Sequence, residues 1–467
     1  MTKKYFTGQA IINTASFVCF THVFVTIVKY LYYNKYIFEL LESFAIDLLA
    51  ILVIGFLSEK GREKGDFGRC FLSYLKMYFS KGQVALTIVF GTLLSSVILQ
   101  RLVFAPNMFL LNKEYIKDLA ICVFILFPMG KVYARKGVGK ALGLGMEIGL
   151  LGLSGYMLWI IWIVYTNRVI YNYSGGGIGM LECNGTLQLK INCHPNTVGA
   201  YSGLLFLLCV WLSVKKRGLK KALYIFESVI HFAILSLSNS RGSFFAMLCT
   251  FMIITVLISY YGFRKQTNVK RWCISILIGG ISIVILYFAR NLFFSAYEAV
   301  RIAKPIEGKE VEEVIRDINV TSFSGRELIW SNSLKIITRS AGNFLLGVTP
   351  ARIPGLLQDL LHWEIGVYTH NQILEVAADI GVPAAIVFLV FLVKLGISCL
   401  RQGLEAEEKR DWRDKILILL LFFLMVSNIM EATLLFYDYL SGCAFVLLGG
   451  WIFGRENDDG KVESGIS

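Results

Sequence analysis

Charged residues are scarce in this sequence: they make up 17% of its 467 residues, whereas a soluble domain has about a quarter. Hydrophobic residues reach 56%, and the mean hydropathy is +0.62. This composition excludes a soluble globular domain, a disordered chain, a fibrous protein and a small disulfide-bonded scaffold. The alternating pattern of an outer-membrane barrel is also missing, because the apolar residues run in continuous blocks of about 15–22 residues. We therefore predict an all-α fold, a polytopic integral membrane protein with about 12 transmembrane helices.

Two further patterns are missing. No internal repeat is visible, which argues against the duplicated halves of many transporters. The first apolar block lacks the cleavage site of a signal peptide, so we expect it to be a retained span. The predicted spans are 10–28, 37–57, 84–104, 119–132, 141–165, 197–214, 222–238, 244–261, 272–289, 383–400, 416–436 and 441–453.

These spans divide the chain into five predicted regions. They are an N-terminal five-span region (1–165), an outer loop (166–196), a four-span core (197–289), an extracytoplasmic helical loop with the catalytic motifs (290–382), and three C-terminal spans with a cytoplasmic tail (383–467). In the long loop, capping-box patterns at 324–327 and 369–372 predict two helices that end near Arg339 and Ile380. The stretch 346–363, which contains proline and glycine, is expected to be irregular.

The net charge of +13 is unevenly distributed. Alternate connections between the predicted spans are rich in lysine and arginine, whereas the others are sparse in them outside one long loop. This positive-inside pattern predicts a multi-pass protein of the cell (cytoplasmic/inner) membrane with both termini in the cytoplasm. The basic balance therefore indicates membrane orientation rather than nucleic-acid binding.

Only two of the ten cysteines, Cys183 and Cys193, fall in a predicted outer loop. A disulfide between them suits an oxidising compartment, and two free thiols suit the sequence equally well. Neither cysteine has the histidine or cysteine spacing of a metal site.

Three motifs on the predicted outer side carry groups that can act on an anionic substrate. Arg241 lies in a tight turn between two spans. Arg326 lies in the first turn of a predicted helix, beside backbone N–H groups that attract anions. His370 lies in the first turn of another predicted helix, where the positive potential favours the neutral imidazole. Two guanidinium groups can hold a pyrophosphate as a leaving group, and a neutral imidazole can act as a general base.

Each of these residues also has a purely structural interpretation. Arg241 can anchor the end of a span among the lipid headgroups. Arg326 can pair with the neighbouring Glu327, and His370 can cap a surface helix.

Other ionisable residues leave alternatives open. Arg290 and Arg301 are candidates for secondary anion ligands. Glu375 and Asp379 would repel each other if both were ionised, and they can either orient an arginine or histidine or be solvated. Several acids in or near the spans can form a proton path or pair internally, among them Glu147, Glu227 and Glu431.

Taken together, the motifs show that the sequence resembles the O-antigen ligase and polymerase family of bacterial membrane glycosyltransferases. The resemblance covers roughly residues 193–390. It rests on the ordered set Ser240-Arg241-Gly242, Ser324-Gly325-Arg326 with Trp330, Leu346-Gly347-Val348, His370-Asn371 with Leu374-Glu375, and Gly381 with Pro383. In one departure, Thr349-Pro350 follows Leu-Gly-Val, where the family often has a second glycine.

The resemblance implies that Arg241 and Arg326 bind the diphosphate of an undecaprenyl-diphosphate-linked glycan and that His370 acts on the acceptor hydroxyl. It also implies transfer with inversion at the anomeric carbon, without a metal or other cofactor. The candidate substrate-binding residues are then Arg290, Arg301, Asn371 and Glu375.

The resemblance leaves the acceptor open, because ligases and polymerases share these motifs. The lysine-rich, alanine-poor composition hints at an AT-rich genome, and a host without an outer membrane has no lipid A core to receive a glycan. This slightly favours polymerisation of a surface polysaccharide. The alternative function is a transporter or flippase of a lipid-linked oligosaccharide, which would use the same arginines but has little need of a long outer loop with a histidine.

Overall fold

The computed structural model describes residues 81–103, 108–136, 140–167, 170–171, 178–183, 186–191, 195–263, 265–303, 326–362, 367–404, 412–429, 431–432, 434–435 and 439–463. The predicted spans 10–28 and 37–57 lie outside these residues. The described helices are α1 (Lys81–Val103), α2 (Met108–Ile121), α3 (Phe127–Lys136), α4 (Lys140–Asn167), α5 (Pro195–Lys215), α6 (Gly218–Ser238), α7 (Arg241–Gly262), α8 (Asn268–Ala303), α9 (Arg326–Thr338), α10 (Ala341–Leu346), α11 (Ile353–Leu361), α12 (Gln372–Ile380), α13 (Val382–Leu404), α14 (Trp412–Ser427) and α15 (Tyr439–Glu463), with a π-helical turn at Cys122–Leu126 between α2 and α3.

Six of the described helices, α4 to α8 and α13, are long and apolar enough to cross a membrane, with apolar stretches of 20 to 30 residues. Shorter apolar stretches lie in α1, α14 and α15. Helices suit a bilayer because every backbone N–H and C=O group inside a span is bonded within the same segment. The prediction of a helical, polytopic membrane protein is thereby confirmed, while the number of twelve spans stays a prediction.

A small sheet in the loop after α4 was not predicted. Strand β1 (Ile170–Tyr171) pairs in parallel with β2 (Gly179–Cys183), which pairs antiparallel with β3 (Thr186–Lys190). The sequence of β3 alternates polar and apolar residues, which is typical of a strand. A search for long apolar blocks passes over such a short alternating run.

The described residues between α8 and α13 are more helical than expected. The stretch 346–363, predicted to be irregular, contains α11. Pro354 does not prevent this helix, because it lies in the first turn, where a backbone N–H has no intrahelical acceptor. The helix predicted to begin after Thr369 begins later, at Gln372, with Asn371 as its N-cap. The first prediction was wrong because a helix forms in this stretch, and the second was wrong because it placed the start of its helix too early.

Two helix ends also differ from the sequence-based boundaries. The predicted span 416–436 is shorter, since α14 ends at Ser427, and the described residues 428–429, 431–432 and 434–435 are not helical. Helix α8 runs to Ala303, past the predicted loop boundary at 290. As a result, Arg290 lies on a membrane helix rather than in a loop.

The bundle is built around α5, α6 and α7. Phe206 of α5 packs against Phe232 of α6 and Phe251 of α7, with ring centroids 5.3 and 5.7 Å apart. Helices α13 and α14 pack against each other, and α14 contacts α5 and α7. This arrangement brings the N-terminal ends of α5 and α7 and the C-terminal end of α14 to one end of the bundle, where the polar residues described next are found.

Candidate active site

Four helix starts and one connecting segment bring the candidate residues to one end of the bundle. Asn196 is the second residue of α5, Arg241 the first residue of α7, and Arg326 the first residue of α9. His370 immediately precedes the N-cap of α12, and Glu431 follows the end of α14. Helix N-termini carry backbone N–H groups without intrahelical partners and a partial positive charge, so this end of the bundle suits an anionic substrate.

Glu431 is the centre of a compact polar network. Its Oε1 accepts hydrogen bonds from Arg326 Nη2 at 2.5 Å and from Asn196 Nδ2 at 2.8 Å, and its Oε2 lies 2.9 Å from His370 Nδ1. The side chains of Glu431 and Arg326 are 9% and 12% exposed. Burial of this carboxylate is therefore compensated by a guanidinium group and two further polar partners, and removal of one partner would leave a poorly compensated buried charge.

The contact with Glu431 orients the imidazole of His370. Because the partner of Nδ1 is a carboxylate, we assign the proton to Nδ1, which then donates to Glu431 Oε2. Nε2 is left with a lone pair that can accept a proton. His370 also has a backbone φ of 53°, in the left-handed region that non-glycine residues rarely adopt. Such backbone geometry is concentrated at functional sites.

The peptide before His370 is held from two directions. Trp330 Nε1, on α9, donates a hydrogen bond to Thr369 O at 2.9 Å. Thr369 N donates to Glu375 Oε2, on α12, at 2.7 Å. These two bonds fix the segment from which the imidazole projects, so the positions of α9 and α12 determine where the imidazole lies.

The start of α12 is also tied to the segment that carries the central carboxylate. Asn371 Oδ1 accepts a hydrogen bond from Leu374 N and so caps the helix, while Asn371 Nδ2 donates to Ile429 O. Gln372 N donates to Asn428 O at 3.1 Å. Both polar groups of the Asn371 amide are thus engaged within the protein, and the structure gives this residue a capping role.

Glu375 and Asp379 lie on the buried face of α12, and neither has exposed surface. Glu375 therefore supports the loop from behind, and its role in substrate binding stays a prediction. The pKa of Asp379 is raised well above its usual value by burial and by the nearby charge of Glu375. Burial and the same two carboxyl groups raise the pKa of Tyr368.

The turn at 346–348 packs directly on α12. Val348 N donates to Ala378 O at 2.8 Å. A side chain at Gly347 would collide with the backbone of Asp379, and Gly347 has a φ of +70°. Only glycine combines this backbone conformation with so close an approach.

Thr349, where the sequence departs from the pattern that it otherwise resembles, adopts a left-handed φ of 74°. This conformation is unfavourable for a β-branched residue. Asn112 of α2 offsets the cost: its Nδ2 donates to Thr349 Oγ1 at 3.2 Å, and its Oδ1 accepts from Ala351 N at 3.1 Å. No local pattern singles out Asn112, which lies 237 positions before Thr349.

Arg241 and Arg290 form a second, positively charged part of the site. Arg290 Nη2 donates to Asn239 Oδ1 at 2.6 Å, and the guanidinium carbon lies 4.9 Å from the centroid of the Phe244 ring. Asn239 is the left-handed C-cap of α6, with a φ of 50°. Arg241 is close enough for its charge to act on Arg290. The turn thus places two guanidinium groups beside the N-terminus of α7, an arrangement suited to a phosphate group.

The other predicted residues are less informative. Arg301 lies in the last turn of α8, and its side chain is outside the described part of the structure. Cys183 lies in β2, whereas Cys193 is outside the described residues, so their disulfide stays a prediction.

Two of the three acids whose role was left open lie away from the site. Glu147 pairs with Lys216 at 2.7 Å and Lys220 at 3.1 Å, at the opposite end of the bundle. Glu227 is buried in α6, where its Oε2 lies 3.9 Å from Cys209 Sγ. Only the third acid, Glu431, reaches the candidate site. The one sequence signal for it was an ionisable residue within an apolar stretch, which alone does not identify its partners.

Comparison with known proteins agrees with the resemblance seen in the motifs. Residues 226–389 match the model of a protein family described as O-antigen ligase. This segment contains the three predicted catalytic residues Arg241, Arg326 and His370, whereas Asn196 and Glu431 lie outside it. No curated protein sequence matches the chain. The family match confirms the resemblance.

Proposed function

We propose, on the premise that residues 226–389 belong to the O-antigen ligase family, that the protein transfers a glycan from undecaprenyl diphosphate to a sugar hydroxyl in surface polysaccharide synthesis. The observation that supports this most directly is the contact between His370 Nδ1 and Glu431, because it leaves Nε2 available as a base. Glycan transfer to a hydroxyl needs such a base, since the hydroxyl must lose its proton as it attacks.

The positively charged part of the site is the proposed binding place of the donor diphosphate. Arg241 and Arg290 lie beside the N-terminus of α7, and Arg290 is held by an amide oxygen and an aromatic ring, both neutral. A neutral setting leaves the positive charge of Arg290 available for an anion. As the diphosphate departs, its negative charge grows. Preorganised guanidinium groups therefore stabilise the transition state more strongly than the ground state.

In the proposed step, the acceptor hydroxyl oxygen attacks the anomeric carbon of the donor. The bond from that carbon to the diphosphate oxygen breaks, both of its electrons stay with the diphosphate, and His370 Nε2 takes the hydroxyl proton. A single displacement of this kind inverts the anomeric configuration. Glu431 stabilises the imidazolium that forms, in the way a carboxylate partner supports a catalytic histidine.

Arg326 has a shared role in this proposal. One of its N–H groups is bound to Glu431, and a guanidinium group has five N–H donors in all. The remaining donors can contact the glycan or its diphosphate. Arg326 therefore both compensates the buried carboxylate and contributes to substrate binding, which differs from the sequence-based expectation of a role in diphosphate binding alone.

The proposed orientation places the site on the extracytoplasmic side of the cell membrane. Support comes from the opposite end of the bundle, where Lys216 and Arg217 connect α5 to α6 and Lys220 lies in the first turn of α6. Connections rich in lysine and arginine favour the cytoplasm.

The test uses the purified full-length protein in nanodiscs with an undecaprenyl-diphosphate-linked repeat unit, and mass spectrometry follows the glycan products. We expect His370→Ala to lower the initial rate by about a hundredfold or more. We expect Arg290→Gln to raise the KM for the donor about tenfold to a hundredfold, because hydrogen bonds to a charged group are lost. Glu147→Gln, a carboxylate change at the opposite end of the bundle, is the matched control and should keep the wild-type rate.

The outcomes separate the alternatives. A wild-type rate in His370→Ala would show that the base is assigned wrongly. If no covalent product ever forms while the protein, reconstituted in sealed vesicles, moves a labelled lipid-linked glycan across the bilayer, the protein is a transporter. A ladder of chain lengths indicates polymerisation, whereas a single transfer to an added acceptor indicates ligation.

A further inference from the structure

A cavity of about 370 Å³ lies at the end of the bundle opposite the candidate active site. It lies among α5, α7, α13 and α14, and the lining residues nearest the helix ends are Lys215, Gly262, Gly403 and Lys415. The 21 residues of α5 rise about 30 Å along the helix axis. A ligand here is therefore separated from the candidate active site by the length of a membrane span.

The walls of this cavity are mostly aliphatic and aromatic. An apolar cavity of this size, among membrane helices, suits a hydrocarbon chain better than a polar metabolite. The described residues that line it include two lysines and no carboxylate. The main apolar contributors are Trp211, Val214, Leu257, Leu400, Ile418 and Phe422.

The positive charge is placed where the cavity meets the ends of the helices. Lys215 Nζ lies 5.5 Å from the centroid of the Trp211 ring. Lys415 is only 6% exposed, so its aliphatic stem lies against apolar surroundings. The exposed Arg217 adds positive charge on the same side.

We propose that this cavity binds one anionic phospholipid from the leaflet on this side of the membrane. An acyl chain lies between the apolar walls, and the phosphate lies near Lys215 and Lys415. Basic pockets between membrane helices on the cytoplasmic side recognise anionic headgroups in this way. A soluble anion would not account for the apolar walls, and a zwitterionic lipid lacks the net charge that two lysines attract.

This lipid site is independent of the proposed glycan transfer. The donor diphosphate belongs at the other end of the bundle, so the two sites differ in location as well as in ligand. The cavity can therefore be tested by lipid binding alone, without any measurement of transfer.

The test uses the full-length protein in nanodiscs that contain equal amounts of phosphatidylglycerol and phosphatidylcholine with the same acyl chains. Native mass spectrometry then counts the lipids that stay bound. We expect phosphatidylglycerol to be retained, and the double variant Lys215→Gln/Lys415→Gln to lower its affinity by about tenfold or more. Lys221→Gln, an exposed lysine on the same side, is the matched control and should retain the lipid.

A second variant tests the apolar walls and keeps both lysines. A Cβ at Gly403 would meet Ile418 at 3.7 Å, an ordinary contact, so the larger side chain of Gly403→Leu extends into the cavity. This variant should lose the bound lipid as the double variant does.

Three results would overturn the proposal. One is equal retention of phosphatidylcholine and phosphatidylglycerol by the wild type. Another is wild-type affinity in either the lysine variant or Gly403→Leu. The third needs no variant: a wild-type melting temperature that both lipids raise equally would show that the headgroup charge is not recognised.

Discussion

The loop that carries His370 lies between two carboxylate sites whose burial is compensated in different ways. In front of the imidazole, Glu431 faces the guanidinium of Arg326. Behind the loop, Glu375 and Asp379 are fully buried one helical turn apart. A carboxylate that faces a cation can orient and stabilise a protonated base, whereas two buried carboxyl groups beside each other tend to keep a proton. The front site, Glu431 with Arg326, is therefore suited to orient a catalytic base. The rear site, Glu375 with Asp379, is suited to hold the loop in position.

The largest effect on glycan transfer is expected for Glu431→Gln, which changes the front site. The amide cannot stabilise an imidazolium, and its N–H group can donate to Nδ1 of His370, which reverses the tautomer. We expect the initial rate of glycan transfer to fall by about a hundredfold or more, while the KM for the donor changes little. Rates in the nanodisc assay measure this, with Glu147→Gln as control. A rate close to that of the wild type would show that the front carboxylate does not serve the base.

A smaller effect is expected behind the loop, where two substitutions at Glu375 can be compared. Gln keeps an oxygen for the N–H of Thr369, and we expect Glu375→Gln to keep most of the activity. Leu leaves that N–H without its partner, and we expect kcat to fall about tenfold, since an unpaired buried donor costs about 1–3 kcal/mol. The KM for the donor and the melting temperature are measured in parallel. Equal losses in both variants would mean that the charge of Glu375, and not its hydrogen bond, matters.

Trp330→Phe tests the other support of the same peptide. The ring is largely kept, and only the N–H that donates to Thr369 O is lost. Because one neutral hydrogen bond contributes about 1 kcal/mol, we expect kcat to fall by about fivefold. Trp162→Phe is the matched control, since Trp162 is 61% exposed on α4. A change in the KM for the donor at constant kcat would place Trp330 in substrate binding instead.

The sequence predicted the helical membrane fold and the resemblance to O-antigen ligases because both depend on local patterns. Apolar blocks of the length of a span reveal the helices, and the short motifs around Arg241, Arg326 and His370 lie in the segment that matches the family model. Each of these signals lies within one continuous segment of the chain, so it can be recognised without knowledge of tertiary contacts. That the three residues serve catalysis stays a prediction.

The partners of these residues could not be predicted, because tertiary packing brings them together. Asn196 and Glu431 are 235 positions apart, yet they meet in one hydrogen bond. The apolar run after Trp412 predicted a span that continues past Ser427. The sequence therefore placed Glu431 inside a span, whereas it lies in a connecting segment. Thr349 is a similar case, since its left-handed backbone depends on a distant asparagine.

Asp379→Asn gives the smallest effect and sharpens the comparison through pH. Since the pKa of Asp379 is raised in the folded protein, the folded state holds this proton more tightly than the unfolded chain. The resulting stability is complete below about pH 4, the usual pKa of aspartate, and is lost as the pH rises through the folded-state pKa. Asn carries no such proton, so the melting temperature of the variant, relative to the wild type, should rise between pH 5 and pH 8. A constant difference between the two melting temperatures across this range would show that Asp379 does not change its protonation on unfolding. The rear site would then not differ from the front site in holding a proton.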